Sequence, residues 1–261
     1  MDALYTAATG MEAQEINIDN TANNLANVNT TGFKKSRVEF EDLVYEEVTT
    51  AGTSTSTTQE SSIGFEVGQG VRATGTARDF SRGNLRATNG PLDLGIQGRG
   101  LFQVTLPTGE TAYSRAGAFH LSGQGLLVTA EGNAVEPQIT IPPDAVAVSV
   151  SKDGIVSVTL QNQPAPEQVG TIELGLFQNE AGLRPLGGNL FVQTEASGEP
   201  TTAAPGTDGL GTLAQGFLEE SNVNVAEEMV NMILAQRAYE ANVRVLRTAD
   251  EMLQQANSVI G

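Results

Sequence analysis

Asp2-Ala3-Leu4-Tyr5-Thr6-Ala7-Ala8-Thr9-Gly10-Met11 opens the pattern that decides how the ends of this chain are used. Leu4, Met11, Ile18 and Leu25 recur every seven residues, and Ala7, Ala8, Ala22, Ala26 and Val28 widen the same side. A seven-residue period puts an apolar seam on one face of a helix, and small residues beside it let another helix approach closely. The spacing predicts a helix over 2–29, about 42 Å long at 1.5 Å per residue. Gly32 supplies the stop, because glycine tolerates the left-handed conformation that ends helices. Asn17, Asn20, Asn23, Asn24, Asn27 and Asn29 are poor helix formers. The helix is therefore expected to be marginal alone and to order against partners.

The other end mirrors the first. Asn224, with Glu227 three residues on, reads as a helix start resembling a capping box. Val225, Met232, Tyr239, Leu246, Leu253 and Ile260 then follow at seven-residue spacing, with Met229 and Val243 in a second line. Gln236 and Asp250 interrupt that line, as polar residues do where a coiled coil fixes its register. Roughly 35 residues, about 52 Å of helix, are expected here. An ordinary helix packed on a globular core is the plainer reading of the same pattern.

Between the ends the period changes to two. Residues 101–106, 125–129, 145–150, 155–160 and 171–177 read as strands, separated by turn chemistry such as Pro107-Thr108-Gly109 and Lys152-Asp153-Gly154. Short strands joined by short turns imply an antiparallel sheet domain. The fold class is thus α+β: terminal helices pairing into a coiled-coil-like layer, with an inserted antiparallel all-β domain. The expected boundaries are 1–33 and 217–261 for the helical core and 72–205 for the β domain. Extended connectors are expected at 34–71 and 206–216. Within the first connector, residues 48–62 are a Thr- and Ser-rich stretch that cannot form a core by itself.

Composition narrows the function. The chain has 261 residues, 14 Lys plus Arg against 31 Asp plus Glu, and a formal charge of −17. Nucleic acid and anionic membranes reward cationic patches, so neither is an expected partner. The absence of cysteine excludes disulfides, thiolate metal sites and Cys nucleophiles. The N-terminus lacks the basic and apolar regions of a cleavable secretory signal, so none is expected. Chemistry is equally sparse. His120 is the one histidine and is expected in a strand or turn. The glycine-rich stretches 64–70 and 95–100 do not open a helix after a strand, as a phosphate loop must, and read as β-turn glycines. Catalysis needs convergent polar groups in a pocket, and no such constellation is legible. No catalytic, cofactor or metal site is expected; a glycosidase-like pair of scattered carboxylates is the least implausible exception.

Asn23-Asn24-Leu25-Ala26-Asn27-Val28-Asn29-Thr30-Thr31-Gly32-Phe33-Lys34 resembles the N-terminal signature of bacterial flagellar rod and hook proteins. Glu220-Ser221-Asn222-Val223-Asn224-Val225-Ala226-Glu227-Glu228-Met229-Val230-Asn231-Met232-Ile233 resembles that family's second signature. The middle, from Gly100 to Thr129, is similar to the family's shared β domain. The length and the Thr248-Ala249-Asp250-Glu251-Met252-Leu253 ending are most similar to its distal rod branch, with the proximal rod branch as alternative.

The resemblance implies a structural subunit of a tubular drive shaft that transmits torque. It implies a helical homopolymer of self-contacts, with proximal rod proteins, hook protein, and P-ring and L-ring proteins as neighbours. It also implies passage through the flagellar type III export apparatus without signal cleavage, into the basal body between periplasm and outer membrane. The expected assembly interface is Leu4, Met11, Ile18, Leu25, Val225, Met232, Tyr239, Val243, Leu246 and Leu253. The signature residues are Asn24, Leu25, Ala26, Asn27, Gly32 and Phe33. A secreted adhesin with a coiled-coil stalk and β head is the competing binding-class reading.

Overall fold

The computed structural model describes residues 2–49, 54–56, 59–60, 64–161 and 163–260. The chain forms two compact units. One contains residues 1–26, 36–77 and 224–261; the other contains 27–35 and 78–223.

The first unit is built on the terminal helices. Helix α1 spans Asp2–Ala26 and helix α2 spans Val225–Ile260. Helix α1 stops three residues before the expected 29, where the Thr30 amide bonds back to the Asn27 carbonyl in a turn. Gly32 lies six residues past the helix end and does not cap it. At the start of α2, Asn224 Oδ1 accepts the Ala226 amide at 3.1 Å, the bond a helix cap provides. The same unit carries strands Ser36–Asp42 and Val71–Arg78, whose last residue falls at the unit boundary, and an antiparallel pair Tyr45–Thr49 with Phe65–Gly68. The polar stretch 48–62 lies largely outside the described residues; of it, Ser54–Ser56 pairs antiparallel with Gln59–Glu60.

The second unit is antiparallel β. Its main sheet places Leu101–Thr105 at the centre, flanked by Thr111–Ser114 and Ala134–Val135. A three-stranded sheet follows from Ala145–Val150, Ile155–Leu160 and Gln163–Thr171. Alternation places Phe102 and Val104 fully inside with Leu94, Ile96, Ile139, Ile172 and Leu174. Phe102 meets Phe119 edge-to-face at 5.0 Å. Each such side chain contributes roughly 1.5–3 kcal/mol by leaving water. His120 is exposed on a strand, opposite Val128.

The observed boundaries differ from the sequence reading on both sides: residues 27–33 fall in the β unit and 72–77 in the helical unit. Residues 206–216 contain the strand Thr212–Gln215, paired with Leu94–Gln97. Phe217–Glu219 is a strand paired with Leu85–Ala87, inside the β unit. These strands have three or four residues, too few for a period to show. Leu213 and Leu218 bury one side each.

Candidate assembly interface

The two helices run antiparallel. A Cβ on Gly10 would stand 2.8 Å from Asn242 Nδ2, and Asn24 Nδ2 reaches Glu228 Oε2 at 3.4 Å. Fourteen steps forward on α1 therefore match fourteen steps back on α2. The seam itself is small and polar. Ala7, Ala13, Thr21 and Asn24 are buried on α1, and Glu228, Ala235 and Ala249 on α2. Small residues bring the backbones close, which suits dispersion contacts rather than large-residue burial.

The expected interface residues divide into two groups. Leu4, Met11, Ile18, Leu25, Met232, Val243 and Leu246 are half-buried beside the seam. Val225, Tyr239 and Leu253 are exposed at 41%, 38% and 45%. Exposure continues across Met229, Val230, Ile233 and Leu234, each more than half accessible. Helix α2 between 225 and 235 is therefore apolar on two faces, and only one is covered. A helix hydrophobic all round is ordinarily a buried helix. Continuing the register brings Asp2 level with Asp250, and Met252, 60% exposed, lies past it.

Sequence reading missed Glu228, Ala235 and Ala249 as seam residues. A signal existed: they stand at seven-residue multiples, with Asn242 between. Reading only for large side chains hid it.

The helix asparagines have a structural purpose. Asn24 is 2% exposed. Its Nδ2 donates to the Ser36 carbonyl at 2.9 Å, and its Oδ1 accepts the Ser36 amide at 2.9 Å. Asn20 Nδ2 donates to the same carbonyl at 2.8 Å. The amide side chain thus pairs with a strand as a neighbouring strand would. Of the other signature residues, Leu25 is half-buried, Ala26 exposed and Asn27 half-buried.

Gly32 and Phe33 belong to the β unit. Gly32 has φ +71°, and a Cβ there would lie 2.5 Å from the Ala116 amide nitrogen. Its own amide donates to the Glu219 carbonyl at 2.8 Å. Phe33 is buried, with the Arg78 guanidinium 5.9 Å from its ring centre. Beside them sits a buried ion triad. Glu219 accepts from Lys34 Nζ at 2.6 Å, Arg115 Nε at 2.5 Å and the Gly83 amide at 2.9 Å. Burial pushes the Glu219 carboxyl up, but Arg115, Lys34 and these hydrogen bonds together hold it below the usual carboxylate range. Burial pulls the Lys34 ammonium below its ordinary value despite Glu219. Both cations are used to hold Glu219 in place. Among the described residues, no group of three or more His, Asp or Glu could hold a metal.

Residues 4–34 match the family "Flagella basal body rod protein", 95–158 the family "Flagellar hook protein FlgE/F/G D1 domain", and 214–259 the family "Flagellar basal body rod FlgEFG protein C-terminal". The chain is 50% identical over 252 residues to the flagellar basal-body rod protein FlgG of Buchnera aphidicola subsp. Baizongia pistaciae, covering 97% of each. The chain belongs to the flagellar basal-body rod protein family. The FlgG of Caulobacter vibrioides is 49% identical, with 97% of each chain covered. The FlgF of that organism is 35% identical, covering 100% of this chain and 98% of its own. This rod protein is therefore nearer to FlgG, with FlgF the weaker likeness. It is a structural subunit of the flagellar basal body, in a family that assembles into the axial structure. The helix pair, matched at both ends by the rod families, and the β unit, matched by the hook-and-rod family, are its two working parts.

Proposed function

We propose that this chain polymerises with its own copies into the distal rod, the rigid tube that carries torque from motor to hook. In this reading α1 and α2 of each copy form the inner helical layer and the β unit forms the outer wall. The chain has no catalytic role and crosses the export apparatus unfolded, without a cleaved signal. Its neighbours are proximal rod proteins, the hook protein, and the P-ring and L-ring proteins. The higher identity to FlgG than to FlgF supports distal over proximal placement.

One observation carries the self-assembly: the uncovered apolar face of α2. Met229, Ile233, Leu234, Met252 and Leu253 stand in water in the single chain. Contiguous apolar exposure marks a protein–protein surface. Leu253→Asp and Met252→Asp test it, because both positions are exposed and the single chain does not need them. Monomer unfolding is expected to stay within about 0.5 kcal/mol, as for ordinary surface changes. Polymer formation, read by sedimentation of the purified full chain, is expected to fail. Normal polymer from both variants would remove α2 from the interface.

A further inference from the structure

Four of the chain's 14 Lys and Arg line one cleft of the β unit. The cleft holds about 580 Å³ and is bordered by Lys34, Phe80, Arg82, Arg99, Arg115 and Glu180. Lys34 and Arg115 are matched by Glu219, and Arg99 pairs with Glu180 at 3.1 Å. Arg82 is exposed and has no acidic partner among the described residues. Four cations against Glu180 and Glu219 leave the cleft cationic, on a chain of formal charge −17. Phe80 supplies an apolar wall, fixed edge-on against Phe191 at 5.2 Å.

The complementary surface lies on the helical unit. In the pair Tyr45–Thr49 with Phe65–Gly68, Glu47 stands directly opposite Glu66, and Tyr45 opposite Gly68. Directly opposed residues share a face, and alternation puts Tyr45, Glu47 and Glu66 together. Tyr45 is 53% exposed, and neither glutamate has a cationic partner among the described residues. Like charges placed opposite each other on a sheet oppose its formation unless a cation joins them.

We propose that the cleft receives the Tyr45–Glu47–Glu66 face of a second copy of this chain. Arg82 sits between the two carboxylates, and Tyr45 packs on Phe80. This rests on the self-assembly reading and adds a contact between the β unit of one copy and the strand pair of the next. The contact supplies specificity of addition, since charge complementarity sets partner orientation more than affinity. It weakens with salt, because both surfaces are open to water.

The test uses the purified full chain and its critical concentration for polymerisation, read by sedimentation. Arg82→Glu is expected to raise it about tenfold, the loss of two exposed pairs at up to about fivefold each, part of it screened. Adding Glu47→Arg and Glu66→Arg to that variant is expected to return it to within about twofold of the unmodified chain. Thermal unfolding of the single chain is expected to stay unchanged, since Arg82 is exposed. An unchanged critical concentration for Arg82→Glu overturns the inference. So does a triple variant that polymerises no better than Arg82→Glu. If Leu253→Asp blocks the polymer while Arg82→Glu does not, self-assembly stands and this contact falls. If the unmodified chain never polymerises, both fall.

Discussion

Glu219→Gln is the most informative single change in the β unit. The carboxylate is 2% exposed and serves two cations, Lys34 and Arg115, which are 1% and 4% exposed. Glutamine fills nearly the same volume, so packing is retained. Its amide offers one acceptor oxygen and carries no charge, leaving Lys34 and Arg115 buried without a counterion. Breaking a buried pair by removing one partner costs about 3–5 kcal/mol. Against a total stability of roughly 5–15 kcal/mol this is a large fraction. At roughly 2–4 °C per kcal/mol for a domain of this size, the melting temperature drops by about 6–20 °C. The pH dependence supplies a second reading. The folded Glu219 carboxyl lies below its unfolded value, so its contribution is present above the unfolded value and lost as pH falls through the folded one. The unmodified chain should lose stability across that acid window, and Glu219→Gln should show a flatter acid limb. Lys34 gives a slope of the same sign in the alkaline range: its lowered folded value makes stability rise with pH between that value and the ordinary lysine value. Urea unfolding of the full chain at several pH values measures all of this. A loss under about 1 kcal/mol at neutral pH, or an unchanged acid limb, would refute the triad as a stabilising unit.

Gly32→Ala combines a left-handed backbone with a Cβ 2.5 Å from the Ala116 amide, so we expect a loss of about 2–4 kcal/mol; urea unfolding within 0.5 kcal/mol of the unmodified chain would contradict it. Asn24→Ala leaves the Ser36 amide without its acceptor, while the carbonyl keeps Asn20, and should cost about 2 kcal/mol, read as faster amide exchange at Ser36. Leu246→Asp puts a charge at a half-buried position beside the helix seam; it should block polymer formation while near-ultraviolet and chemical-shift signals of Phe102 and Phe119 in the β unit persist. Persistent polymer in that variant would argue against the helical layer.

The helices and the longer strands were legible because long periodic segments leave an unmistakable pattern. Leu4 to Leu25 and Ile155–Leu160 are examples. Two parts were not. The short strands at 212–215 and 217–219 take their identity from partners more than a hundred residues earlier, which local pattern does not encode. The seam within the single chain was not legible, because small and polar side chains give no periodic hydrophobic signal. Here the buried positions are alanine, threonine and asparagine, and several large residues face outward. That inversion is itself physical: a single chain covers its small seam, and the large side chains remain for another surface. Gly32 was read as a helix cap because its conformation was inferred correctly, with φ +71°, while its reason was not. The reason is the closeness of Ala116.

Asn24 and Glu228 stand 204 residues apart, and Lys34 and Glu219 stand 185 apart. Each unit therefore closes on both ends of the polypeptide. Closing loops of this length is slow, because chain entropy is lost before contacts reward it. If the N-terminal end leads, the buried lysine lacks its carboxylate until Glu219 arrives, whereas Asn24 already has the Ser36 backbone close by in sequence. A chain threaded through a narrow passage would stay pliant for its whole transit and acquire its shape only on emerging complete.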